Sequence, residues 1–215
     1  MDRYTQSLDY IEKSDQIMRA LVVSAPENKQ QQGYFAAIVY TNGVTLGNLG
    51  NLDAALKDLN EARASFESLE KTDSLDHGIP IRALSCTEKM GEAASRAGNS
   101  KLAADYFHLV LKEVEPELAK QNADANVPYL AADSYSGLGD LELRKARQSR
   151  GNTATQKARW TQARVWYLQS LQAWRRVDHP LPVAPSGFDA GDPAKVETKL
   201  QLCEAALARF GAPPQ

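Results

Sequence analysis

Glycine returns at a fixed interval in this chain of 215 residues: Gly43, Gly91 and Gly139 stand 48 residues apart. Each lies in a stretch whose apolar and small residues recur at helical spacing, as Ala36, Val39, Tyr40, Gly43, Leu46 and Gly47 do. Glycine inside a helix costs roughly 1 kcal/mol relative to alanine, so its return at one register implies a neighbouring helix too close for a side chain. Ala55 and Ala103 follow their glycines by twelve residues, and Gly50-Asn51 and Gly98-Asn99 fall at the same place between them. That pair ends one helix, and the next begins. The fold this predicts is all-α, a solenoid of antiparallel helix pairs suited to binding. In its register Gly43, Gly91 and Gly139 of each helix A meet Ala55, Ala103 and Ala163 of the following helix B.

The predicted organisation is a single helical domain, 1–215, holding an orphan helix B (1–28), a first unit (31–72), a second (79–120), a third (127–178) and a capping helix (192–210). Helix A of the first unit is expected over about 33–49, with Leu52, Ala55, Leu56, Leu59, Ala62 and Phe66 forming the stripe of its helix B. In the third unit Ala163 arrives 24 residues after Gly139 instead of twelve. The insertion, 144–161, contains Gly151-Asn152-Thr153, which predicts a lengthened helix A, a longer loop and a helix B over about 155–177. One period before the first helix B, Ser7, Ile11, Ser14 and Met18 occupy the offsets of Ala55, Leu59, Ala62 and Phe66. The chain therefore opens on a helix B whose apolar face lacks its usual partner. Asp192-Pro193 pairs an N-cap with proline at the first helical position, and Val196, Leu200, Cys203, Ala206 and Leu207 follow as one stripe.

Composition matters for what it excludes. No apolar run approaches membrane-spanning length, so no direct membrane insertion is expected. The expected compartment is the cytoplasm, or an extracytoplasmic one if a parent protein carries an upstream transmembrane segment. The net charge of -2 hides an asymmetry: 141–176 holds nine Lys/Arg and one Glu, whereas the preceding 140 residues hold 13 basic against 21 acidic. Arg144, Lys145, Arg147, Arg150, Lys157, Arg159 and Arg164 alternate with Trp160, Trp166 and Trp174, the pattern of a single-strand binder. This nucleic-acid adaptor using 144–164 is the rival reading. Trp160, Ala163, Tyr167, Leu171 and Trp174 fall on one helical stripe, however, which makes the aromatics core. The basic flank then pairs with acidic residues, within the molecule or in a homo-oligomer. Cys86 and Cys203 read as small core residues. His77, His108 and His179 lie in different units without a second His or Cys at ligand spacing, so no metal, cofactor or enzymatic role is expected. His108, beside Phe107, is expected to be a partly buried packing residue.

Glycine in helix A, Gly-Asn seven residues on, alanine five later and a large apolar residue four after that (Leu59, Phe107) resembles the tetratricopeptide repeat. The period of 48 exceeds the family's usual ~34 and marks a long-helix variant. The resemblance implies a right-handed superhelix of about eight helices. Two stretches, Tyr129, Tyr135, Gly137, Gly139 and Asp140 in 129–140 and Ala163, Trp166, Tyr167, Leu171 and Trp174 in 163–174, resemble the C-terminal repeat region of bacterial eukaryotic-type serine/threonine kinases. That implies a sensing or docking part of a larger signalling protein. In the repeat family the helices A line a concave face, which places a partner-binding groove at Tyr40, Val44 and Asn48, at Glu88, Glu92 and Arg96, and at Ser136, Asp140 and Arg144. Glu88 and Glu92 are expected to be exposed there and to favour a basic or amide-rich peptide. The family's carboxylate clamp is not reproduced, which disfavours an acidic chaperone tail as ligand.

Overall fold

A computed structural model describes residues 3–72, 80–120, 123–149, 151–177 and 191–210. Among them are eight α-helices and no strand: α1 (Arg3–Ser24), α2 (Lys29–Asn48), α3 (Leu52–Thr72), α4 (Ile81–Arg96), α5 (Ser100–Leu118), α6 (Val127–Gln148), α7 (Thr153–Trp174) and α8 (Pro193–Arg209). The protein is all-α. Its contacts gather into two compact units, Met1–Tyr106 and Phe107–Gln215, with the division inside α5. In the first unit α2 packs along α3, which packs on α4, and α1 lies against α2. In the second, α7 lies between α6 and α8, packing on both.

The Gly-Asn pairs make the turns by local chemistry. Gly50 and Gly98 have φ of +81° and +80°, the left-handed conformation that side chains disfavour. Each closes a helix with two bonds: Gly50 N–H to Gly47 O and Asn51 N–H to Leu46 O, then Gly98 N–H to Ser95 O and Asn99 N–H to Ala94 O. This is the Schellman arrangement, which satisfies carbonyls that the helix end leaves open. The asparagine then caps the next helix: Asn99 Oδ1 accepts from Leu102 N–H at 3.2 Å, and Asn51 Oδ1 more weakly from Ala54 N–H at 3.4 Å. Gly151-Asn152 repeats the positive φ, +100° at Gly151, and the asparagine cap, with Asn152 Oδ1 accepting from Thr155 N–H at 3.0 Å, but Asn152 N–H donates to Ser149 O in place of the Schellman bonds.

The glycines of helix A are buried, but Gly43 and Gly139 meet partners other than those the register assigns. A Cβ at Gly43 would stand 2.7 Å from Leu59 Cγ, and one at Gly139 would stand 2.5 Å from Tyr167 Cε1. Ala55 lies instead near Gly47, whose Cβ would sit 3.7 Å from that of Ala55 and 3.0 Å from that of Ala93. Leu59 and Tyr167 each lie one helical turn beyond the alanine named in the register, because the crossing falls further along helix B. Gly91 and Ala103 are both buried. The twelve-residue insertion does not make a long loop. Only 149–152 separates α6 from α7, and both helices reach 22 residues, against 16 and 19 for α4 and α5. The extra residues lengthen the helices, since nothing before Gly151 breaks the helical pattern.

α7 buries Trp160, Ala163, Tyr167 and Trp174, as the stripe predicts. Trp160, Ala163 and Tyr167 form a core with Leu143, Ala146, Val196 and Cys203, against which Leu200, Ala206 and Leu207 of α8 pack. Asp192 caps α8 by accepting from Ala194 N–H at 3.0 Å, with Pro193 as its first residue. At the other end, Arg19 of α1 donates to both carboxylate oxygens of Glu61 on α3, at 2.7 and 3.0 Å. Tyr10, Ile17 and Val23 of α1 are 72%, 62% and 80% exposed, and they lie off the expected stripe, of which Ser14 is exposed and Met18 part-buried. Both cysteines are buried and free.

Candidate functional site

In the first unit α2 and α4, one period apart in sequence, lie side by side. Gly47 and Ala93 allow the approach, because neither carries a side chain beyond a methyl group. Val44 and Asn48 of α2 and Lys89, Glu92 and Arg96 of α4 thereby line one narrow cleft with room for about a single water molecule. Four residues of the expected groove, Val44, Asn48, Glu92 and Arg96, are thus brought together.

Beneath the cleft lies a charge cluster. Lys89 Nζ stands 3.0 Å from Glu88 Oε2 and 3.0 Å from Glu92 Oε1. Glu88 is 3% exposed and Lys89 8%, so the expectation of an exposed Glu88 is overturned. The carboxylate is held inside because an ammonium group is buried with it; a lone charge there would carry a large desolvation cost. Burial alone would raise the Glu92 carboxyl, yet Lys89, and Arg96 more remotely, hold it below its ordinary value. Tyr40 is also buried, and desolvation pushes its phenol well above the usual tyrosine range. Tyr40 is core, a correction to its place in the groove. On this face Arg96 is exposed, and Asn48 and Glu92 are part-buried.

In the second unit Ser136, Asp140 and Arg144 are part-buried on α6. Asp140 is committed internally: Oδ1 accepts from the Tyr167 hydroxyl at 2.7 Å and Oδ2 from Lys199 Nζ at 2.8 Å. It ties α6 to α7 and α8, which corrects its expected role as a ligand contact. The basic segment is similarly engaged. Glu142, buried, accepts from Lys145 at 2.7 Å and from Arg159 at 2.9 Å, and Arg164 lies 3.5 Å from Glu204. Trp160 and Trp174 are buried, and Trp166 stacks on Tyr135 with centroids 5.9 Å apart. Arg147 and Lys157 remain exposed. His108 is exposed, not part-buried, although its ring meets Trp166 edge-on at 6.0 Å. His77, His179 and Arg150 lie outside the described residues.

Among the described residues no cluster of three or more His, Cys, Asp or Glu side chains could hold a metal ion. No helix among them is long and apolar enough to cross a membrane. The helices and their packing define an all-α protein of helical hairpins with repeat-like character. No protein-family model matches the chain, and no curated protein matches it in sequence. Among solved structures, the crystal structure of BtubC (BKLC) from P. vanneervenii aligns over 98% of this chain and 87% of its own, with 14% identity and a TM-score of 0.47. A likeness at that score carries no argument.

Proposed function

We propose that this chain is a protein-interaction module whose α2–α4 face takes a segment of a partner protein. The observation that carries the reading is the convergence of Val44, Asn48, Glu92 and Arg96 on one cleft, from two helices 48 residues apart, above a buried and largely neutralised charge cluster. Because Glu88 and Glu92 are engaged by Lys89, the face offers an amide and an exposed guanidinium more than free carboxylates. An amide-rich segment fits it better than a strongly basic one, with Asn48 bonding main-chain groups and Arg96 a carbonyl or carboxylate. The right-handed, tetratricopeptide-like superhelix belongs to the same proposal and is supported by the adjacency of α2 and α4. The wider reading, a docking part of a signalling protein such as a kinase, rests on the resemblance of 129–140 and 163–174 alone. Cytoplasmic placement and a non-enzymatic role are parts of the proposal as well.

The test is binding of a partner recovered from the native host. Asn48→Lys with Arg96→Glu should weaken it by about 1–3 kcal/mol while leaving the melting profile nearly unchanged, because Arg96 is exposed and Asn48 only part-buried. Asn60→Lys, exposed on α3, is the control and should leave affinity as it was. Equal affinity in the double variant, with loss at Asn60, would move the site to the α3 side. The nucleic-acid rival is disfavoured by the burial of Trp160 and Trp174 and the engagement of Lys145 and Arg159. A labelled single strand should show no anisotropy change at physiological salt; micromolar binding that falls steeply with salt and disappears in Arg147→Glu/Lys157→Glu would reverse the ranking.

A further inference from the structure

The first unit holds a recess that the α2–α4 cleft does not include. The first turns of α2, the end of α3 and the first turn of α4 frame an open hollow of about 500 Å³, within the usual range for ligand sites. Its wall is Lys29, Gln30, Gly33 and Tyr34 from α2, Leu69 from α3 and Arg82 from α4. Two of these residues carry a positive charge and none a negative one. Asn48, at the far end of α2, lies roughly 20 Å along the helix from Gly33, so the recess shares helices with the proposed partner face but none of its residues.

Arg82 is held in place with its fork open. Its Nε donates to Glu70 Oε1 at 3.3 Å, its backbone N–H to the same oxygen at 3.1 Å, and its guanidinium lies 5.1 Å from the centroid of the Phe66 ring. The two terminal nitrogens bond to nothing among the described residues, and the side chain is 41% exposed. Tyr34, also exposed, accepts from Gln30 Nε2 at 3.1 Å, which leaves its own O–H to donate. Gly33 keeps the hollow open, since a Cβ there would meet nothing within 4 Å. We propose that this recess binds a carboxylate borne on an apolar or aromatic body. The carboxylate takes the Arg82 fork and the Tyr34 hydroxyl, and the body lies against Leu69 and the Tyr34 ring. Paired guanidinium N–H groups match the two oxygens of a carboxylate, and the charge of Lys29 adds to the field that selects an anion over a cation. Such a group arrives either as a free aryl acid or as an Asp or Glu side chain of a partner protein with an apolar residue beside it.

The full chain, isotope-labelled for NMR, is titrated at constant ionic strength with phenylacetate and, in parallel, with acetyl-Leu-Glu-Leu-amide. The amide signals of Gly33 and Arg82 should move saturably, with a dissociation constant below about 10 mM for at least one of the two. Tighter binding of phenylacetate identifies a free acid as the source, and tighter binding of the peptide a partner's side chain. Arg82→Gln and Gly33→Leu, each followed at the other residue's amide, should weaken binding about tenfold or more. The first removes the fork, and the second fills the hollow while leaving every charge in place. Gly33→Leu is expected to fold, because its Cβ meets nothing and leucine is the better helix former. Where Arg82→Gln loses its helical signal, Gly33→Leu decides alone. Absence of saturable shifts with both acids up to about 50 mM, equal binding of the neutral phenylacetamide, or undiminished affinity in Gly33→Leu overturns the proposal.

Discussion

Substituting Gly139 by alanine adds one methyl group at a tight helix crossing of the second unit. That methyl would stand 2.5, 2.8 and 2.9 Å from three ring carbons of Tyr167, whereas non-bonded carbons rest at about 3.5–4.0 Å. The ring must therefore retreat by roughly 1 Å. It has little room to do so, because Tyr167 is fully buried and its hydroxyl is bonded to Asp140, which Lys199 holds from the other side. Overpacking of this kind costs about 1–3 kcal/mol, and disrupting a hydrogen bond to a carboxylate adds about 1.5–3 kcal/mol. Alanine's advantage in a helix offsets about 1 kcal/mol. The net loss is about 1.5–5 kcal/mol, and each kcal/mol lowers the melting midpoint of a chain this size by about 2–4 °C. Urea melts followed by circular dichroism measure it. Gly33→Ala is the matched control, since a Cβ there meets nothing within 4 Å and the helix preference should act alone, stabilising by up to about 1 kcal/mol. The Tyr167→Leu background should relieve much of the Gly139→Ala penalty, a coupling that a double-mutant cycle reads directly. If Gly139→Ala melts at or above wild type, the crossing is not tight, and the reason offered for the recurring glycine fails.

The cysteines give a chemical check on burial: desolvation pushes the Cys86 thiol far above its ordinary 9.0 and that of Cys203 up to about 11, so both should resist Ellman's reagent at pH 8 until urea unfolds the chain. Labelling of Cys86 in the native protein at the unfolded rate would contradict its place in the core. Hydrogen bonding to Arg19 holds the Glu61 carboxyl below its ordinary 4.5, so the pair's contribution is full above that value and is lost as pH falls through the lower, folded one. Both side chains are partly exposed, and Arg19→Met should cost under about 1 kcal/mol at neutral pH and low salt, with the deficit shrinking in acid and in salt. A deficit independent of pH would assign the effect to the packing of Arg19 over the Phe35 ring, 4.8 Å away.

The turns were legible because their causes are local. Gly50, Gly98 and Gly151 take the left-handed conformation that only glycine adopts freely, the following asparagines each accept from the N–H three residues ahead to cap, and Asp192-Pro193 starts α8 by the same short-range chemistry. Apolar spacing likewise placed Trp160, Tyr167 and Trp174 inside, since a stripe at helical period has one face to bury. The candidate groove was legible only in part: Val44, Asn48, Glu92 and Arg96 share a cleft, but the same spacing gave no sign that Tyr40 and Glu88 sink into the core. Spacing tells which side a residue faces, and the depth of that side depends on how closely the neighbouring helix approaches. Tertiary structure alone decided that Gly43 meets Leu59 instead of Ala55, that Lys89 is buried between two carboxylates, and that Asp140 is claimed by Lys199, 59 residues away. Helix and turn follow from interactions within a few residues and are written in the chain's own order; burial and charge pairing depend on which distant side chains arrive, and only the packed fold sets that.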